Sequence, residues 1–123
     1  MKTALQKTTT DDPSVDSETG GAYSKVFNTS KYDLKTVSGR MNALLDFADE
    51  YAPPDDGRSR QLAEEFNCSK SGAKNWVLKN SLPTRKQLHQ IVETQLLKIS
   101  GNFHPAAVVA WIEHGDAVTC PFV

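Results

Sequence analysis

From Met41 onward, apolar positions recur at the spacing of helices that each bury one face. Met41, Leu44, Leu45, Ala48 and Tyr51 follow the i, i+3, i+4, i+7 pattern. Ser38 stands where an N-cap is expected, and Pro53-Pro54-Asp55-Asp56-Gly57 ends this helix in a turn. A second, shorter helix is predicted from Arg58 to Phe66, burying Leu62, Ala63 and Phe66. Asn67 interrupts it, and Ser69 is placed to cap a third helix reaching Trp76, Val77 and Lys79. After the break at Asn80-Ser81-Leu82-Pro83, Thr84-Arg85-Lys86-Gln87 has the form of a capping box. Leu88, Ile91, Val92, Gln95, Leu96 and Ile99 carry the fourth helix, which Gly101-Asn102 closes. A fifth opens on Pro105, runs through Val108, Trp111 and Ile112, and stops at Gly115.

The start of the chain shows no such period. Residues 1–35 are rich in Thr, Ser, Asp and Gly, and Pro13 and Gly20-Gly21 act as breakers. Too few apolar groups stand there to offset the entropy of ordering, so a mobile N-terminal tail is expected. Tyr23, Val26, Phe27, Tyr32 and Leu34 are the side chains able to dock part of it on the core. The expected organisation is a tail over 1–35, a compact all-α domain of five helices over 36–116, and a C-terminal segment over 117–123.

Composition narrows the class. In 123 residues, 38% are hydrophobic, enough for one modest core, and no run of 18 apolar residues offers a membrane span. The first residues, Met1 to Lys7, turn polar at once and lack the apolar centre of a secretory signal. Cys68 and Cys120 stand far apart with no CxxC spacing, so a reduced, cytoplasmic chain without a metal site is expected. Cys68 reads as a buried thiol, and His89, His104 and His114 as ordinary helix residues. No nucleophile, base and orienting acid stand at recognisable spacing, and no phosphate or dinucleotide loop exists, so neither catalysis nor a cofactor is expected.

Net charge is -1 and says little until the chain is divided. Residues 36–57 carry one basic side chain against five acidic ones, whereas residues 58–98 carry eight basic against three acidic. The positive charge is thus confined to the central stretch over 58–98, and the part over 59–78 carries most of the functional signal. That stretch reads as helix, tight turn, helix. Asn67 tolerates the positive φ such a turn requires, and Ala63 is small enough for a close helix crossing. Leu62, Phe66, Cys68, Ala73 and Trp76 fall where the two helices close a small core.

Leu62-Ala63-Glu64-Glu65-Phe66-Asn67-Cys68-Ser69 resembles the Leu-Ala-Glu-x-hydrophobic-Gly-Val-Ser signature of the lambda-repressor-like (xenobiotic-response-element) family of helix-turn-helix transcription regulators. Trp76 and Asn80-Ser81-Leu82-Pro83-Thr84 resemble that family's passage into helix four, and Trp111-Ile112-Glu113-His114-Gly115 resembles its closing helix. The likeness spans about 80 residues. Asn67 replaces the turn glycine, and Gly72 in the first turn of the third helix costs about 1 kcal/mol of helix propensity relative to alanine.

The resemblance implies a lambda-repressor-like domain that binds double-stranded DNA, a repressor of the phage or prophage kind. Helix 69–79 would lie in the major groove, with Lys70, Ser71, Lys74 and Asn75 reading base edges. Arg58, Ser59, Arg60, Ser69 and Lys79 are the expected phosphate contacts. The fifth helix and the C-terminal segment leave an apolar end, so Val109, Val118 and Phe122 are expected to form a homodimer interface, implying a pseudo-palindromic operator. The alternative partner is another protein, bound by the same helices as an interaction module or an antitoxin-like autorepressor.

Overall fold

The computed structural model describes residues 26–123. It contains five α-helices: α1 (Val37–Ala48), α2 (Arg58–Phe66), α3 (Lys70–Leu78), α4 (Arg85–Lys98) and α5 (Pro105–His114), followed by a 3-10 turn over Gly115–Ala117. No strand occurs among the described residues. α1 is the central element and packs on α3, α4 and α5, while α2 packs on α3 and α4 on α5. No helix among the described residues is long and apolar enough to cross a membrane.

The helix ends follow from local chemistry. Thr84 Oγ1 accepts the Gln87 amide at 3.2 Å, and Pro105 opens α5 where its missing N–H is harmless. Asn67 ends α2 at φ 51, the left-handed conformation expected of it. At α1 the expected cap is wrong by two residues. Thr36 Oγ1 accepts the Gly39 amide at 2.9 Å and donates to the Asp33 carbonyl at 2.8 Å. Ser38 lies inside the helix and turns inward instead. A Cβ on Gly39 would sit 1.8 Å from the Asp33 carbonyl oxygen, so the chain can fold back there only over glycine.

The periodic apolar residues form one core. Met41, Leu44, Leu45, Leu62, Leu88, Ile91, Val92, Val108 and Ile112 are fully buried. Trp111 joins them as expected. Part of the segment ahead of α1 belongs to the same body: Phe27 is buried, Tyr32 and Leu34 pack against the core, and Val26 is exposed. Tyr23 and the rest of the expected tail lie outside the described residues.

The apolar end expected to meet a second copy is closed from within. Phe122 stacks on Phe27 with ring centroids 4.9 Å apart, and Phe47, Phe103 and Trp111 surround the pair edge-on. Val109 is 1% exposed and cannot face a partner, which corrects its expected place in a dimer contact. Val118 and Phe122 are half-buried against the same core, so their apolar surface is largely spent inside the chain.

Candidate nucleic-acid interface

The α2–α3 unit is built by short-range bonds. The Ala63 carbonyl accepts both the Asn67 amide and, at 3.0 Å, the Cys68 amide, which closes the end of α2. Ser69 Oγ then accepts the Gly72 amide at 3.0 Å and starts α3. Leu62, Phe66, Ala73 and Trp76 are buried between these helices and the body, and Cys68 is half-buried rather than fully enclosed. Burial nonetheless pushes the Cys68 thiol up, away from thiolate chemistry.

The far end of α3 is held by α1. A helix leaves its last carbonyls without internal partners, and here two side chains of α1 take them. Ser38 Oγ donates to the Trp76 carbonyl at 2.8 Å, and Asn42 Nδ2 donates to the Val77 carbonyl at 2.8 Å. Asn80, at φ 57, donates its amide to Ser38 Oγ at 2.7 Å and accepts the Ser38 amide on Oδ1 at 3.1 Å. Three side chains thus fix the C-terminal end of α3 to the body, while Ala73, Trp76 and Val77 bury its inner face. Its outer face is left to solvent.

On that outer face Lys70, Ser71 and Lys74 are exposed and Asn75 is half-buried. With 3.6 residues per turn, Ser71, Asn75 and Leu78 lie opposite the buried Ala73, Trp76 and Val77, and Lys74 and Lys79 flank them on opposite sides. Lys79, the C-cap, is exposed, as are Ser69 and Arg60. None of Arg60, Lys70, Lys74 and Lys79 is paired with an acidic group among the described residues. Four cations without an ion-pair partner among the described residues therefore surround one helix face.

Two expected phosphate contacts are corrected. Arg58 is 2% exposed and Ser59 is 7% exposed, so neither side chain reaches a phosphate. The Arg58 guanidinium is consumed internally: Nε donates to the Ala52 carbonyl at 2.8 Å, Nη1 to Asn42 Oδ1 at 3.0 Å, and Nη2 to Asp46 Oδ1. Asp46 also accepts from Tyr32 Oη at 2.9 Å and pairs with Lys31 at 2.9 Å. Burial pushes the Asp46 carboxyl up, but the hydrogen bonds from Arg58, Lys31 and Tyr32 outweigh it and hold the pKa below its ordinary value.

Other residues enter the site that charge and periodicity had not singled out. Asp55 and Asp56, from the turn before α2, line a cleft of about 390 Å³ together with Arg60, Lys70, Lys74 and Leu78. Leu78 is 42% exposed on the wall of this cleft. The only forewarning in the sequence was the block of five acids over residues 36–57. No group of three or more His, Cys, Asp or Glu among the described residues is placed to hold a metal ion.

The chain matches no protein-family profile, no curated protein and no solved structure.

Proposed function

We propose that this chain is a sequence-specific DNA-binding protein of the lambda-repressor-like kind, which represses by occupying its operator. The observation that carries this reading is the outer face of α3: exposed, cationic, unpaired, and fixed from behind by Ser38, Asn42 and Asn80. A helix held by its inner face can enter a major groove without losing internal contacts, and little side-chain freedom is lost beyond that of the lysines themselves. Ser71 and Asn75 face base edges, with Asn75 able to pair bidentately with adenine. Lys70 and Lys74 reach guanine acceptors from the side of the cleft. Arg60, Ser69 and Lys79 contact phosphates and set register.

The number of copies on DNA follows from the operator. A dimer would place two α3 helices about one DNA turn apart and select a two-fold symmetric site, whereas a monomer would select an asymmetric one. Selection from random duplexes, followed by binding across a salt series, tests the reading. The expected result is a reproducible site whose affinity falls steeply between about 50 and 200 mM salt as counterions are released. No preferred duplex and no salt dependence would overturn it.

The rival is a protein-binding module. It draws on Asp55 and Asp56, whose carboxylates beside Lys70, Lys74 and the half-exposed Leu78 make a cleft of mixed charge. A partner held there through apolar contact would bind almost independently of salt.

A further inference from the structure

Resting on the DNA-binding reading, we infer that Leu78 reads sequence: its isobutyl group packs against the C5 methyl of a thymine beside the base that Asn75 contacts. Of the four apolar side chains of α3, Ala73, Trp76 and Val77 are buried, and Leu78 is 42% exposed. A single exposed leucine means little on a protein surface. This one is singled out by its place. With 3.6 residues per turn, Ser71, Asn75 and Leu78 fall within an arc of about 60° on the side opposite the buried residues. Lys74 stands next to Leu78 on the wall of the cleft. The stripe presented to a groove is thus a hydroxyl, a carboxamide and an isobutyl group, with cations along its edges.

Leu78 is the last residue of α3, yet it does not serve only the end of the helix. Each Cα–Cβ bond of a helix tilts toward the N-terminus, so a side chain covers the turn before its own Cα. For Leu78 that turn carries Lys74 and Asn75. The backbone beneath is ordered. Ser38 Oγ and Asn42 Nδ2 donate to the Trp76 and Val77 carbonyls, each at 2.8 Å. The Asn75 carbonyl accepts the Lys79 amide at 3.0 Å and the Ser81 amide at 3.1 Å. Leu78 also lines the cleft with Pro54 and Lys74, so part of its surface is out of water before any duplex arrives. Little remains to be ordered on binding.

The chemistry of the groove selects the partner. Among the base edges of the major groove only thymine carries a methyl group, and the others present donors and acceptors. Against those edges a leucine shields hydrogen-bonding atoms from water without pairing them. Against thymine it buries apolar surface on apolar surface. The contact therefore exists in the cognate complex alone and discriminates between bases. From Asn75 to Leu78 the helix rises about 4.5 Å, against about 3.4 Å per base pair, which places the thymine one or two pairs from the adenine of Asn75.

The test pairs changes on the two partners. The site selected by the wild-type protein is made with each thymine in turn replaced by deoxyuridine, which removes the methyl and keeps the base pair. Wild type, Leu78→Ala and Leu78→Met are titrated against the set, and the thermal midpoint checks that each variant is folded. Wild type is expected to bind about fourfold more weakly when one methyl, within two pairs of the adenine of Asn75, is removed. Leu78→Ala is expected to bind the parent site about fourfold more weakly and to lose nothing further from that deoxyuridine. Leu78→Met, still apolar and of similar size, keeps the dependence on the methyl. The salt slope stays the same throughout, because no phosphate contact is touched. A selected site without thymine in that window, no effect of deoxyuridine on wild type, or an equal effect on wild type and Leu78→Ala overturns the role of Leu78 while leaving DNA binding in place. Failure of the wild-type chain to bind any duplex at low salt overturns the DNA reading itself, and the thymine contact with it.

Discussion

The carboxamide of Asn42 donates to the Val77 carbonyl at 2.8 Å, so a side chain of α1 completes the last turn of α3. The same carboxamide accepts Arg58 Nη1 on its oxygen at 3.0 Å. Asn42 is 4% exposed, and each bond it makes satisfies a group that water cannot reach easily. Asn42→Ala leaves a buried carbonyl and a buried guanidinium N–H short of partners. The expected loss is about 2–3 kcal/mol of unfolding free energy, read from urea denaturation. A loss below about 0.5 kcal/mol would show that the α1–α3 joint is not held in this way.

Arg58 separates a structural cation from a DNA-contacting one. Arg58→Ala removes the partner of Asp46 and bonds to Ala52 and Asn42, and about 3 kcal/mol of stability is expected to go with it. The fall is moderated because Asp46 retains 23% exposure and its contacts to Lys31 and Tyr32. Below its unfolding temperature the variant should keep the wild-type salt slope on DNA, since a guanidinium sealed in the core releases no counterion. A slope reduced by about 1 would return Arg58 to the phosphate set.

What was legible in the sequence is what local pattern encodes. Helical period, the caps at Ser69 and Thr84, Pro105 at the start of α5 and the left-handed Asn67 are each decided within a few residues. The outward position of Lys70, Ser71 and Lys74 follows from the same period, because Ala73, Trp76 and Val77 claim the opposite face. Long-range pairing was not legible. Ser38 and Asn80 bond across 42 positions, and nothing in either neighbourhood names the other. Arg58 reads as a surface charge until α1 brings Asn42 and Asp46 beside it. One signal did exist: both lie on α1 next to fully buried apolar positions, where unpaired polar groups are costly. The apolar end is closed by a pairing of the same long-range kind, since Phe27 and Phe122 meet from opposite ends of the described chain.

Reading and positioning residues on α3 should fail differently. Lys79→Ala is expected to weaken all duplexes alike and to lower the salt slope by about 1. Asn75→Ala should leave the slope unchanged and cost about 1–3 kcal/mol at a single base position. Binding of each variant to the selected site and to its single-base substitutions makes the comparison. Uniform weakening from Asn75→Ala would remove it from the reading set.

Stability should fall away at both ends of the pH scale through two different networks. Asp46 has a folded pKa below its ordinary value of 3.8, so its contribution is present above that value. It is lost as pH falls through the lowered folded value. Lys98 behaves in the opposite sense. Burial pushes its pKa down, but donation to Tyr51 Oη at 3.0 Å and Glu65 Oε2 at 2.9 Å outweighs this and holds it well above the ordinary 10.5. Its contribution is complete below 10.5 and is lost as pH rises through the raised folded value. Tyr51 strengthens that alkaline limb: burial and donation to Glu65 raise its pKa, so its ionisation also costs more in the folded chain. Urea midpoints measured across pH should therefore show a plateau through neutrality, with Asp46→Asn flattening only the acid limb and Lys98→Met only the alkaline one. If either substitution changed both limbs equally, the two networks would be acting as one.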